Sequence, residues 1–348
     1  MKKTLVIGGG GFIGRNLVDS LLRQKDTHVT AADLREGSNW NEIINDKEKS
    51  QRFTAIINDF SMVESFESLG KEYDEVYMLA AVVGVNRTLK YPHDVIRINT
   101  SLTMNTLDWI SRSLVKKILF ASSSENYAGN SDFYDIPIPT PEKIPLCISN
   151  IDHPRWTYAV TKIHGESAFL HSSKSHNYEC KIVRYQNIIG PEMGFGHAIP
   201  HIVERFHKAE EYPFKIYGHN QTRAFCYIDD AINGTIGAMQ SRKKGNKIYH
   251  IGAPVEINME QLTTYIGELM GYKGKYEYAM TYPGSVARRC PDISSAKLDF
   301  NYSPSIEWKA AVKKTVQWYK EFFDSGEKPP TIGFESPEKI IKKINNDS

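Results

Sequence analysis

The sequence predicts an α/β fold, a doubly wound parallel sheet with a smaller C-terminal lobe. Short β-rich runs alternate with helix-length segments through the first half, a glycine-rich turn follows the first run, and the pattern breaks near Asn187. The runs are Thr4–Ile7, His28–Ala32, Phe53–Ile57, Glu75–Leu79, Lys117–Ala121 and Lys181–Tyr185. Between them Ile13–Gln24, Thr100–Ser113 and Tyr158–Ser172 carry apolar residues at helical spacing. Strands that alternate with helices pair in parallel, because each crossover returns the chain to the same edge of the sheet, and both faces are then covered. Beyond Asn187 the chain is irregular and rich in Gly, Pro and aromatic residues, with a helix-like piece at Ile199–Glu210. That composition reads as a small lobe built from excursions of the first. The expected organisation is a dinucleotide-binding lobe at 1–186 with a return segment near 224–252, a second lobe at 187–325, and an extension at 326–348. The extension carries Pro329-Pro330 and a lysine-rich end, and is expected to be loosely attached.

A chain of 348 residues suffices for one large domain or two lobes on a shared core. With 41% apolar and 24% charged residues the composition is that of an ordinary globular protein. A formal charge of +2 excludes a strongly basic surface for nucleic acid or anionic membrane. Met1-Lys2-Lys3 runs straight into the first β-rich segment, so no signal peptide is expected, and no apolar stretch is long enough to span a bilayer. The four cysteines are scattered without metal-ligand spacing or a paired framework, which points to reduced thiols and a cytoplasmic setting. No spacing groups His164, His197, His201 or His219 with carboxylates, and no metal site is expected.

Directly after the first run stands Gly8-Gly9-Gly10-Gly11-Phe12-Ile13-Gly14. A glycine-rich turn between a strand and a helix lets backbone approach a pyrophosphate, which then sits at the positive helix N-terminus. Gly8, Gly11 and Gly14, with Phe12 and Ile13 opening the helix, are the candidate cradle of a Rossmann-type lobe. Asp33 closes the second run near the offset expected for a carboxylate on the adenosine ribose. Its charge repels the extra phosphate of NADP and favours NAD, although Arg35 two residues on keeps an NADP alternative open. Asp59, after the third run, is placed either to touch the adenine or to cap a helix.

Tyr158-x-x-x-Lys162, following the strand end Ser122-Ser123-Ser124-Glu125, resembles the active site of the extended short-chain dehydrogenases that modify nucleotide sugars. That family includes sugar-nucleotide epimerases, 4,6-dehydratases and UDP-glucuronate decarboxylases, and the resemblance runs from Met1 to about Phe322. The spacing suits the chemistry. Residues i and i+4 share a helix face, so the ammonium can sit near the phenol, and a nearby cation together with the positive nicotinamide favours tyrosinate. Tyrosinate can then take a hydroxyl proton while hydride leaves the same carbon. The same pair is expected to touch the cofactor.

Further roles come from the resemblance. Aligned on Tyr127, it gives Ser123 the task of holding the substrate oxygen, with Ser124 one residue out of register as a second substrate contact. In the decarboxylases and dehydratases a Glu two places before that tyrosine works beside the sugar, which implies Glu125 here. Read alone, Glu125 could instead serve only a loop hydrogen bond, the lesser of the two readings. The dehydratases carry Asp where this chain has Ser124, which disfavours dehydration. Ala80 and Ala81 resemble cofactor-contacting residues, and Val85 and Arg87 would lie over the substrate. Asn99, opening the next helix, would tie that region to the site or serve as an ordinary N-cap. In the second half Asn187 and Arg223 would meet the nucleotide diphosphate, and Arg289 the sugar C6 end.

The implied reaction is oxidation of the sugar at C4 with NAD, using Tyr158 as base, Lys162 as its electrostatic partner and Ser123 as anchor. Epimerisation ranks first because it asks least of the site. The alternatives are decarboxylation of a UDP-glucuronate-type substrate, net 4-dehydrogenation or 4,6-dehydration, and, outside enzymes, a non-catalytic NAD-binding scaffold. The resemblance also implies a homodimer through the helices near Thr100–Ser113 and Tyr158–Ser172.

Overall fold

A computed structural model describes residues 1–329 apart from 134, 211 and 280–285, with backbone alone at Val85 and Asn86. The extension from residue 330 onward lies outside the described residues.

The central sheet contains β1 (Lys2–Ile7), β2 (Thr27–Asp33), β3 (Phe53–Ile57), β4 (Glu72–Met78), β5 (Leu114–Ser123), β6 (Glu179–Tyr185) and β11 (Lys247–Ile251). Its order is β11-β6-β5-β4-β1-β2-β3, and every pairing is parallel. The chain runs outward from β1 to β3, then crosses back to β4, so the topological switch lies between β1 and β4. In such sheets ligands bind beyond the carboxyl ends of the strands at that point. Successive residues of β1 face opposite layers. Val6 joins Leu17 and Leu21 of α1 (Phe12–Leu22) in one core. Leu5 and Ile7 join Ile98, Leu102 and Trp109 of α4 (Pro92–Ile110) and Phe169 of α5 (Thr157–His176) in the other.

Between these lie the short helices α2 (Trp40–Asn45) and α3 (Val85–Lys90). The helix expected from Thr100 begins eight residues earlier, because Pro92 sits at its first turn, where a missing N–H is tolerated. Asn99 is therefore mid-helix and caps nothing.

The small lobe is more regular than the sequence suggested. β7 (Ile188–Ile189) pairs with β10 (Cys226–Tyr227), and β8 (Phe214–Tyr217) with β13 (Tyr276–Ala279), both in parallel. Strand β9 (Thr222–Ala224) lies between antiparallel β12 (Glu256–Asn258) and parallel β14 (Arg288–Arg289). Helices α6 (Ala198–Lys208), α8 (Met259–Leu269) and α10 (Trp308–Asp324) pack with these strands, while α7 (Ile228–Gln240), which leads into β11, and α9 (Ser294–Phe300) brace that strand. Only α6 was anticipated. No helix among the described residues is long and apolar enough to cross a membrane.

Candidate active site

The glycine turn is shaped first by the protein's own backbone. Gly8 has φ +92°, and a Cβ there would lie 2.5 Å from the amide nitrogen of Ala80. Ala80 is fixed in turn, since its N–H donates to the Ile7 carbonyl at 2.9 Å. A Cβ on Gly14 would run into the Gly8 carbonyl. Gly11 differs: a Cβ there would meet nothing nearer than the Gly8 oxygen at 3.4 Å. No protein packing demands glycine at this position, which caps α1 in extended conformation without a side chain. The first turn of α1 thus has no side-chain cap, which leaves its amides for a pyrophosphate of the kind a helix N-terminus binds. Phe12 and Ile13 begin α1 there, and both pack partly against the core.

Asp33 ends β2 beside this turn. Its Oδ2 accepts from the Gly10 N–H at 3.0 Å and its Oδ1 from the Arg35 N–H at 3.3 Å. Burial raises its pKa above the ordinary carboxylate range, and those amide bonds oppose the rise. Asp59 is less available, because its Oδ1 accepts from both the N–H and the hydroxyl of Ser61 at 2.9 and 2.7 Å. That is turn chemistry of the capping kind. The donor set of an NAD site is nonetheless present: a glycine cradle, an uncapped helix end and a strand-end carboxylate.

Asn99 binds the backbone of Val82 twice, accepting from its N–H at 2.7 Å and donating to its carbonyl at 3.1 Å. It also donates to Thr161 Oγ1 at 3.3 Å, so one side chain ties the loop carrying Ala80 and Ala81 to α5. Arg87 lies on α3, its pKa lowered by burial and by the neighbouring charge of Arg35. That neighbour places Arg87 near the end of β2, towards the cofactor side of the loop. The side chain of Val85 lies outside the described part.

Tyr158 projects from the first turn of α5, close to the Ser123 side chain at the end of β5. Ser123 Oγ also accepts from the Glu125 N–H at 3.2 Å, which fixes the hydroxyl at the strand end. Ser124 is buried one residue on. Lys162, one turn after Tyr158, donates to the Ala121 carbonyl at 2.7 Å, with its Nζ 5.7 Å from the Tyr158 ring centre. Burial dominates both groups. It raises the phenol well above its ordinary value, against the nearby Ser123 side chain, and lowers Lys162 to about 7, against the charge of Glu166. Desolvation thus keeps the phenol protonated in the protein alone, and the expected tyrosinate calls for the positive nicotinamide together with Lys162.

Glu125 lies between two guanidiniums. Arg289 Nη1 donates to its Oε1 at 2.5 Å, and Arg155 Nη2 lies 3.5 Å from its Oε2. Burial pushes the carboxyl up, but Arg289 and Arg155 outweigh it and hold its pKa below the ordinary value. Arg223 stands opposite Arg289 in the register of β9 and β14, and burial, then the charge of Arg289, lowers its pKa to about 10. Glu256 bonds Arg288 at 2.6 Å and sits near Arg223. Among the described residues Arg155, Arg223 and Arg289 thus gather about Glu125, a set of guanidiniums suited to a diphosphate. Asn187, with φ +40°, donates to the Ala224 carbonyl at 3.1 Å, beside Arg223 on β9.

Sequence reasoning missed Arg155, three residues before Tyr158, because no spacing links it to Glu125. It also missed the buried carboxylate Glu166, which receives two bonds from Arg184 at 2.8 and 2.7 Å and others from Ser122 and Asn126. This network braces the end of β5 against α5 and β6 from below.

Residues 4–252 match the family described as NAD dependent epimerase/dehydratase. A UDP-glucuronate 4-epimerase of Thermodesulfobacterium geofontis is 30% identical, covering 91% of this chain and 96% of its own. A UDP-N-acetyl-alpha-D-glucosaminuronate decarboxylase of Bacillus cytotoxicus is 29% identical, covering 92% and 98%. The fold is shared with a solved UDP-glucuronic acid 4-epimerase of Bacillus cereus, crystallised with UDP-glucuronic acid and NAD. It is 24% identical with a TM-score of 0.78, covering 92% of this chain and 99% of the other.

Proposed function

On the premise that this chain belongs to the NAD-dependent epimerase/dehydratase family, of the extended short-chain dehydrogenase type, we propose that it interconverts the C4 epimers of a UDP-hexose. It is an NAD-dependent enzyme of nucleotide sugars; the reaction, the base and the site residues are our reading. The observation that carries it is the approach of Tyr158 to the Ser123 side chain at the carboxyl edge of the sheet, with Lys162 one helical turn away and held on the Ala121 carbonyl.

NAD, when bound, supplies reversible two-electron oxidation of a carbinol carbon. Gly8, Gly11 and Gly14, with Phe12 and Ile13 at the start of α1, would hold its pyrophosphate. Asp33 would take the ribose hydroxyls, and Ala80, Ala81 and the loop pinned by Asn99 would line its other side. Tyr158 takes the C4 hydroxyl proton and returns it when the opposite face has been presented. Ser123 holds the same oxygen, and Ser124 borders the sugar. Burial leaves the phenol neutral, so Tyr158 becomes a base only when positive charge is added beside it. Arg223, Asn187 and Arg289 meet the diphosphate and sugar, with Arg87 and Val85 on the loop above.

Decarboxylation is the second reading, because the resemblance gives Glu125 and Arg289, which pair here, a role at the sugar C6 end, and one relative is named a decarboxylase. The state of Glu125 favours epimerisation. It is ionised, carries no proton to give, and already occupies the two guanidiniums a substrate carboxylate would need. The four cysteines are free thiols, which accords with a cytoplasmic enzyme.

The test is to incubate the NAD-loaded protein with UDP-glucose, UDP-N-acetylglucosamine and UDP-glucuronate, following products by proton NMR and trapping carbon dioxide. Appearance of a C4 epimer without carbon dioxide supports the reading. Carbon dioxide and a pentose nucleotide from UDP-glucuronate, abolished in Glu125→Gln, would replace it with decarboxylation. In an epimerase that substitution lowers turnover by less than about tenfold, since return of hydrogen to C4 needs no carboxylate.

A further inference from the structure

Outside the constellation described so far, the Arg15–Glu192 ion pair links the two lobes. Arg15, in the first turns of α1, is 8% exposed, and its Nη1 donates to Glu192 Oε2 at 2.7 Å. Its Nη2 donates to the Pro191 carbonyl at 3.0 Å. The same Glu192 oxygen accepts from the Ser38 hydroxyl at 2.6 Å, and Asn39 donates to the Arg15 carbonyl at 3.2 Å. Glu192 thus holds α1 and the loop after β2 together.

The position of this bridge is what gives it meaning. A Cβ on Gly10 would come within 3.2 Å of the Gly37 N–H, so the Ser38 loop lies against the glycine turn. A Cβ on Gly190 would lie 3.3 Å from the Phe12 ring, so the Gly190–Glu192 turn lies against the start of α1. From the other side the small lobe grips the same turn. Tyr319 of α10 donates to the Met193 carbonyl, and Phe195 packs among Trp318, Tyr319, Phe322 and Phe323 of that helix. Glu192 itself holds φ +58°, a left-handed conformation that a non-glycine residue keeps only when its surroundings impose it. A guanidinium near a helix N-terminus is also unfavourable without an anion beside it. Both oddities are resolved by the one contact.

We propose that the Arg15–Glu192–Ser38 bridge is a strap over the adenosine–pyrophosphate end of the cradle, which retains NAD between turnovers. These are retaining residues that touch no reacting atom, and the proposal rests on the cofactor reading given above. The strap opens when Glu192 leaves Arg15 and Ser38, which frees the turn to swing with α10.

The experiment measures the rate at which bound NAD leaves the intact protein, by displacement with the fluorescent analogue etheno-NAD, in wild type and in Glu192→Ala, Arg15→Ala and the double variant. Both single variants are expected to release NAD at least tenfold faster, and the double variant no faster than either. The charge-reversed pair Arg15→Glu with Glu192→Arg should recover at least half of the loss on a logarithmic scale. Ser38→Ala, at an exposed position, should give a smaller acceleration of about threefold, and it serves if the alanine variants at the ion pair do not fold. Release within twofold of wild type in every folded variant would overturn the strap while leaving the cofactor reading intact. A wild-type protein that binds no NAD would overturn both.

Discussion

Lys162 and Tyr158 show what it costs to assemble polar chemistry away from water. Lys162 is buried with its ammonium on the Ala121 carbonyl, and its pKa falls from 10.5 to about 7. The unfolded chain binds that proton up to about pH 10, whereas the folded one releases it near 7. Stability therefore rises with pH across that window and is lost as pH falls towards 7. Each pKa unit is worth about 1.4 kcal/mol, so below pH 7 the buried charge costs a few kcal/mol. Lys162→Met removes that cost and leaves the Ala121 carbonyl without its donor, a loss of about 1–3 kcal/mol. Its melting temperature should exceed wild type at pH 6 and fall to or below it by about pH 10; equal differences at both values would refute the linkage. The pair was legible because i, i+4 spacing on a helix is visible in sequence. Arg155 was not, because its meaning lies in the approach of residues 125, 155 and 289, which spacing alone does not reveal.

Among the elements, we propose that the end of β2 decides the cofactor. Asp33 accepts from Gly10, so the residue that would read the ribose also fixes the cradle. Asp33→Ala should narrow the preference for NAD over NADP by about tenfold or more in titrations of both. A native protein that binds NADP more tightly would show instead that Arg35 governs the choice. Helix α4 marks the limit of reading by periodicity. Asn99 resembled a residue tied to the site, and it does bind the loop after β4, but from mid-helix. The start at Pro92 was readable from that proline, as α8 was from its Asn258–Gln261 capping box and α10 from its buried Val312, Val316, Tyr319 and Phe323. The short strands of the small lobe carried no such signal. β9 and β14 are three and two residues long and meet across more than sixty positions of chain, yet their register sets Arg223 opposite Arg289.

At the scale of the whole molecule, one edge of the central sheet gathers the carboxyl ends of β1, β2, β4 and β5, which deliver Gly8, Asp33, Ala80 and Ser123. The alternation of strands and helices made this edge foreseeable, whereas the arginine wall supplied by the small lobe depends on excursions that sequence pattern does not order. We also propose that α4 and α5, packed side by side with Ile96 and Met104 of α4 exposed, cover each other across a two-fold axis in a homodimer. Sedimentation at micromolar concentration should give twice the chain mass, and a monomer there would contradict it. The central claim is oxidation at the sugar C4 through Tyr158, and the direct measurement uses a UDP-hexose carrying deuterium at C4. Wild type should form the C4 epimer more slowly from the labelled sugar by about twofold or more and keep the deuterium at C4, while folded Tyr158→Phe should lose at least a hundredfold in rate. Loss of the deuterium to solvent, or a Tyr158→Phe variant within tenfold of wild type, would contradict the account.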